Sequence, residues 1–136
     1  MIQRIQSVWL LLVALFEVLT FQLPCFSGSL TVNTTSIDIT AQSSILLFLV
    51  SALIAIISLS TICLYKKRPL QLRLCLVSIA LYLLTVYLYY LQIKTFFKVG
   101  PSLWIIIYAA IPFLLVFAVR AIYKDGKLLK ESDRLR

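Results

Sequence analysis

Histidine is absent from this chain, and only five residues are acidic. Glycine and cysteine occur three times each. Without an imidazole the commonest general base and metal ligand is missing. With so few glycines the sequence contains no phosphate-cradling loop. Cys25 is expected near one membrane face and Cys63 and Cys75 near the other, so the three cannot gather around a metal. Cys63 and Cys75 flank a loop assigned below to the cytoplasm, where a reducing compartment keeps thiols free. The known acid–base, nucleophilic and metal constellations are therefore not represented. The expectation is a protein that is not an enzyme and has no cofactor or metal.

Charge is also scarce. Charged residues make up 13% and hydrophobic residues 62% of the 136 positions, against about 25% and roughly 45–50% in soluble domains. The apolar residues form four runs, Ile5–Pro24, Ser44–Tyr65, Leu72–Ile93 and Pro101–Tyr123. Each is about 20 residues long, enough for a helix rising ~1.5 Å per residue to cross a ~30 Å hydrocarbon core. A β-barrel needs shorter segments alternating with period 2, and these runs are too long and too uniformly apolar. The expected fold is an all-α membrane protein, an antiparallel bundle of four transmembrane helices. A single domain spans 1–136, with an external loop 25–43, a cytoplasmic loop 66–71 and a cytoplasmic tail 124–136.

The few charges are sorted by side. Arg4, Lys66, Lys67, Arg68, Arg73, Arg120, Lys124, Lys127, Lys130, Arg134 and Arg136 fall on one side, and only Lys94 and Lys98 on the other. The positive-inside rule then places both termini and the loop at residues 66–71 in the cytoplasm. The net charge of +8 is accounted for by this orientation and by attraction to anionic lipid headgroups, at ~1 kcal/mol each. No nucleic-acid partner is expected. A cleaved signal peptide is the alternative for the first run, but it exceeds an h-region of about 7–15 residues and carries Glu17. An uncleaved helix is expected.

Polar residues within the runs are periodic. Gln71, Cys75, Ser78, Tyr82, Thr85, Tyr89 and Gln92 follow alternating steps of 4 and 3, a heptad seam that should turn away from lipid toward other helices. In the first run Gln3, Gln6, Leu10, Val13, Glu17 and Thr20 share a face. Ser44, Ser51 and Ser58 do so in the second, with Ala55 beside them. The fourth has Ala109, Ala110 and Ala118, and Pro112 should kink it. Glu17 is the one ionisable residue well inside a span, about 18 Å from Ile5. A charge there costs at least ~2.5 kcal/mol. Equal depth on the other runs gives Ser51, Thr85 and Tyr108 as its neighbours. Two readings stand: a neutral carboxyl hydrogen-bonded to one of these hydroxyls, or a proton- or cation-coupled site.

Aromatic residues gather near the predicted boundaries: Phe21, Phe26, Tyr87, Tyr89, Tyr90, Phe96, Phe97 and Trp104 on one side, and Trp9, Tyr65 and Tyr123 on the other. Such a belt seats amphipathic rings at headgroup level. In the external loop Leu30-Thr31-Val32 and Ile37-Asp38-Ile39 flank the turn material Asn33–Ser36, predicting a small hairpin over the bundle mouth.

Three segments carry a family likeness: Met1-Ile2-Gln3-Arg4-Ile5-Gln6-Ser7-Val8-Trp9-Leu10, then Tyr65-Lys66-Lys67-Arg68-Pro69-Leu70-Gln71-Leu72-Arg73-Leu74-Cys75, and Arg120-Ala121-Ile122-Tyr123-Lys124-Asp125 through Asp133-Arg134-Leu135-Arg136. On these the chain resembles a family of small bacterial four-helix membrane proteins, domain-of-unknown-function family 4293. It departs from the family's pattern at Gly126 and Pro69. The resemblance implies a bacterial inner-membrane location and no particular activity.

All three segments lie on the predicted cytoplasmic side. A recognition surface is expected there from Gln3, Arg4, Gln6, Lys66, Lys67, Arg68, Gln71, Arg73, Arg120, Lys124, Asp133, Arg134 and Arg136, with the tail continuing the last helix. The expected role is a scaffold or accessory subunit that contacts another membrane protein or a second copy of itself. The rival is a small proton- or cation-coupled, transporter-like oligomer using Glu17 and the polar seam.

Overall fold

The computed structural model describes residues 3–29, 37–64, 68–96 and 98–134. Four helices dominate it: α1 (Gln3–Leu19), α2 (Ile45–Cys63), α3 (Arg68–Ile93) and α4 (Ile105–Arg134). Three short strands, β1 (Phe26–Ser29), β2 (Ile37–Ile39) and β3 (Lys98–Pro101), form one antiparallel sheet of order β2-β1-β3. The fold is thus mostly helical rather than all-α.

Local chemistry explains where the helix ends depart from expectation. α1 ends at Leu19 rather than at Pro24. The chain leaves it through tight turns, with Phe21 N bonded to Val18 O at 3.2 Å and Gln22 N to Leu19 O at 3.1 Å. Pro24 disfavours helical geometry in the residue before it, so the apolar run outlasts the helix. α3 begins at Arg68, and Pro69 falls in the first turn, where a missing N–H breaks no helical bond. α4 starts later than expected because Lys98–Pro101 pairs as a strand. It then continues past Tyr123 to Arg134 as one 30-residue helix with Pro112 inside.

The sheet differs from the expected hairpin. β2 pairs with β1, in the register Phe26↔Ile39, Ser27↔Asp38 and Gly28↔Ile37. β3, distant in sequence, covers the other edge of β1, with Phe26↔Pro101 and Ser29↔Lys98. Residues 30–36, which include the expected Leu30-Thr31-Val32 strand, lie outside the described residues.

Helices α2, α3 and α4 contain stretches long and apolar enough to cross a membrane: Ile45–Cys63, Pro69–Ile93 and Ile105–Lys127. The apolar part of α1, Ser7–Leu19, is shorter. α1 packs on α2 and α4, and α3 packs on the same two, which closes a ring. The buried positions follow one rule in every helix. The seams are Leu10, Val13, Glu17 and Thr20 along α1 and its exit, and Leu47, Ser51, Ile54, Ser58 and Thr61 on α2, with Ala14 and Ala55 buried beside Val13 and Ile54. On α3 they are Gln71, Cys75, Ser78, Tyr82, Thr85 and Tyr89, and on α4 Tyr108, Ile111, Leu115, Ala118, Ile122 and Asp125. Steps of 3 and 4 alternate along each of these seams, the spacing of knobs-into-holes packing.

Three apolar clusters stack along this interior. Cys25, Ile39, Ala41, Leu47, Tyr89 and Tyr108 form the layer under the sheet. Val13, Ile54, Tyr82, Ile111 and Leu115 form the middle, and Leu10, Cys75, Ala118 and Ile122 the far end. Moving toward the sheet, residue numbers rise in α1 and α3 and fall in α2 and α4, so consecutive helices alternate in direction.

The distribution of polarity is inverted relative to a water-soluble bundle. Glu17, Thr20, Ser51, Ser58, Thr61, Gln71, Ser78 and Thr85 are buried. Leu11, Leu15, Leu53, Ile56, Leu83, Val86, Phe113 and Val116 are exposed. Water would penalise so continuous an apolar exterior. Lipid does not, and it drives polar side chains inward.

Candidate functional site

The candidate site is the polar interior of the bundle beneath the sheet. The heptad spacing that buries α3 also aims its hydroxyls inward, and those of Ser78 and Thr85 are taken by their own helix. Thr85 Oγ donates to Leu81 O at 3.1 Å, Ser78 Oγ to Leu74 O at 3.1 Å and, on α2, Thr61 Oγ to Ile57 O at 2.6 Å. A hydroxyl bonded four residues back closes on its own backbone and cannot reach across the bundle.

The tyrosines do reach across. Pro112 has no N–H, so the carbonyl four residues earlier, that of Tyr108, loses the donor a helix would supply. The Tyr82 hydroxyl on α3 donates to that carbonyl, at 2.5 Å. The Tyr108 side chain in turn reaches the frayed end of α1. Its hydroxyl donates to Leu23 O at 2.7 Å, with Thr20 O 3.1 Å away as a second acceptor. It accepts from the Tyr89 hydroxyl at 3.4 Å, and the two rings meet edge to face with centroids 5.5 Å apart. Thr20 O also accepts from Ala41 N at 3.1 Å. Carbonyls left over at the end of a helix are thus satisfied by a tyrosine and by the strand-to-helix connection.

Glu17 is buried in the same interior as these tyrosines. The structure buries all four residues that sequence depth brought together: Glu17 is 1% exposed, Ser51 1%, Thr85 4% and Tyr108 6%. Their expected bonding does not form. The Thr85 proton goes to Leu81 O and that of Tyr108 to the α1 exit, while Glu17 Oε1 has no hydrogen-bond partner among the described residues. The link between Glu17 and Thr20 is through backbone, Thr20 Oγ donating to Glu17 O at 2.7 Å.

At the far end Gln71 departs from its expected surface role, because it is fully buried. Its Nε2 donates to Thr61 O at 3.3 Å, capping the last turn of α2, and its Oε1 has no partner among the described residues. The seam position decides this, since the same spacing that makes Tyr82 internal makes Gln71 internal. Arg73, Arg120 and Lys124 are exposed. The side chains of Gln3, Arg4, Gln6, Arg68, Asp133 and Arg134, and residues Lys66, Lys67 and Arg136, lie outside the described residues.

Other placements also differ. Tyr89 belongs to the interior rather than to an interfacial belt. Ala109 is exposed and Ala110 half-buried, so the inward stripe of α4 runs through Tyr108, Ile111, Leu115 and Ala118. Cys25 and Cys75 are buried in different clusters and Cys63 is exposed. Outside the helices, burial pushes the Cys25 thiol up to about 12. The pairing of Tyr82 with Tyr108 O was not read from sequence, although Pro112 standing four residues after Tyr108 is the signal that could have found it.

The family described as Domain of unknown function (DUF4293) matches residues 2–135. No curated protein and no solved structure matches the chain.

Proposed function

The chain belongs to this DUF4293 family of unknown function, and we propose that it is a small bacterial inner-membrane scaffold or accessory subunit without catalysis. Both termini face the cytoplasm, and α1, completed by its capped exit turns, crosses the membrane beside α2, α3 and α4 as the fourth member of an antiparallel bundle. The excess of Lys and Arg at the ends of α2 and α4 and at the start of α3 supports this orientation. The single observation that carries the role is the unbroken course of α4 to Arg134. Residues 124–134 extend it by about 16 Å, a helical arm that carries Lys124, Lys127, Lys130 and Arg134 together with Asp125, Glu131 and Asp133. Such an arm, carrying charges of both signs, suits contact with a partner surface of mixed charge at the cytoplasmic face. Crosslinking in native membranes tests it. Deleting residues 127–136 should abolish specific crosslinked products while leaving membrane insertion and helicity intact, and unchanged products would overturn the role.

A second reading rests on Glu17, whose Oε1 is buried and without a hydrogen-bond partner among the described residues. An intramembrane carboxyl in that position is a recognised mark of proton or cation coupling. Flux into proteoliposomes separates the two readings. The scaffold predicts no proton or sodium flux above empty liposomes in either wild type or Glu17→Gln, whereas the coupled reading requires wild-type flux that Glu17→Gln removes.

A further inference from the structure

We propose that the bundle opens at the end away from the sheet and admits water between its helices there, while the half beneath the sheet stays closed. Ser58 and Gln71 are 1% and 0% exposed, yet Ser58 Oγ and Gln71 Oε1 have no hydrogen-bond partner among the described residues. Ser58 lies one turn past Ile54 of the middle layer, and Gln71 one turn past Cys75 of the far layer. Glu17 Oε1, at mid-depth, is a third such atom. Among the described residues, no side chain of the layer under the sheet carries one. A buried polar atom left unmet is disfavoured, and the closed helices let no solvent reach Ser58 Oγ or Gln71 Oε1. Water can serve them only if the helices part.

Beneath the sheet the helices are tied together. β1 follows α1 and pairs with β2, which leads into α2, and with β3, which leads into α4. Tyr108 joins α4 to the exit of α1 through Leu23 O, and Tyr82 joins α3 to α4 through Tyr108 O. Pro112 marks where this bracing stops. It gives Tyr108 O no N–H, so the ladder of α4 lacks a link there and the helix can bend. Ile111 and Leu115, on either side of it, belong to the middle layer. Farther from the sheet, Gln71 Nε2 meets Thr61 O at 3.3 Å, a long bond for an amide donor. Local opening starts where polar groups are least satisfied and the backbone is least braced.

The two buried cysteines report on the two halves, since Cys25 lies in the layer under the sheet and Cys75 in the far layer. The test is thiol modification of the full chain in nanodiscs by a charged, water-soluble methanethiosulfonate. Cys63→Ser removes the exposed thiol, and mass spectrometry separates the two remaining sites. With each rate divided by that of the unfolded chain, Cys75 should react at least about tenfold faster than Cys25. Ser58→Ala removes an unmet hydroxyl that favours the open form, so it should slow Cys75 about fivefold. Ser78 is as buried as Ser58 but donates to Leu74 O in its own helix, so Ser78→Ala should leave the Cys75 rate within about twofold. Circular dichroism reports whether each variant is folded, and the comparison of Cys75 with Cys25 stands without either serine variant. Equal protection of the two cysteines, no slowing by Ser58→Ala, or equal slowing by both serine variants would each overturn the proposal.

Discussion

Replacing Tyr82 by Phe removes one oxygen atom, and its cost should depend on whether residue 112 is proline. The Tyr82 hydroxyl donates to Tyr108 O, the carbonyl that Pro112 cannot serve. Both tyrosines are buried, so no solvent replaces the lost donor. Leaving a buried acceptor unsatisfied costs about 1–3 kcal/mol, while interhelical hydrogen bonds measured inside a membrane protein average about 0.6 and reach about 1.7 kcal/mol. An acceptor with no alternative donor belongs near the upper end of the latter range. Tyr82→Phe should therefore destabilise the Pro112 protein by about 1.5 kcal/mol. In Pro112→Ala the new N–H reaches Tyr108 O along the helix, and Tyr82→Phe should then cost less than about 0.5 kcal/mol. The coupling between the two positions is the difference, about 1 kcal/mol. Reversible unfolding in mixed micelles, titrated with sodium dodecyl sulfate and followed by far-ultraviolet circular dichroism, gives all four corners of this cycle. An equal cost of Tyr82→Phe in both backgrounds would refute the link between the proline and the tyrosine.

Tyr108→Phe removes the donor to Leu23 O, costs about 1 kcal/mol, and should speed amide exchange across residues 20–29 by about fivefold while leaving the middle of α2 unchanged; uniform exchange rates would contradict it. Gly126 lies inside α4 with open space around its missing Cβ, so Gly126→Ala should stabilise the helix by roughly 0.5–1 kcal/mol, read as a higher midpoint in the same titration. A lower midpoint would show that a contact was lost. Cys25 has its thiol raised to about 12, and only the thiolate reacts. Maleimide at pH 8 should label exposed Cys63 and spare Cys25 until the protein is unfolded. The same shift makes the folded state lose stability as pH rises from about 9 toward 12, because the unfolded thiol ionises first.

What could be read from the chain was set by periodicity. The 4-3 pattern from Gln71 to Tyr89 is the buried face of α3 residue for residue, because nearly everything between its members is aliphatic and the contrast is sharp. On α1, Leu10, Val13, Glu17 and Thr20 are buried for the same reason. The seam of α4 was missed because its members Ile111, Leu115 and Ile122 do not differ in polarity from the lipid-facing residues beside them. Small size at Ala109 and Ala110 then suggested the wrong stripe. The sheet was half legible: β2 lay within a predicted strand, but strands of three or four residues carry little alternation, and the partnership of β1 with β3 depends on contacts that no local window contains. Depth counting picked out Glu17, Ser51, Thr85 and Tyr108, each of them buried, yet it could not say where each hydroxyl proton would go. Intrahelical carbonyls four residues back competed successfully for the proton of Thr85.

Spin labels placed one at a time at Leu53, Leu84 and Val116, three exposed positions on α2, α3 and α4, address the solvent of the helices directly. Power-saturation electron paramagnetic resonance in reconstituted bilayers should find each label accessible to oxygen and shielded from a water-soluble nickel chelate. A label that collides with the chelate as freely as one on an exposed soluble helix would mean that water surrounds the bundle.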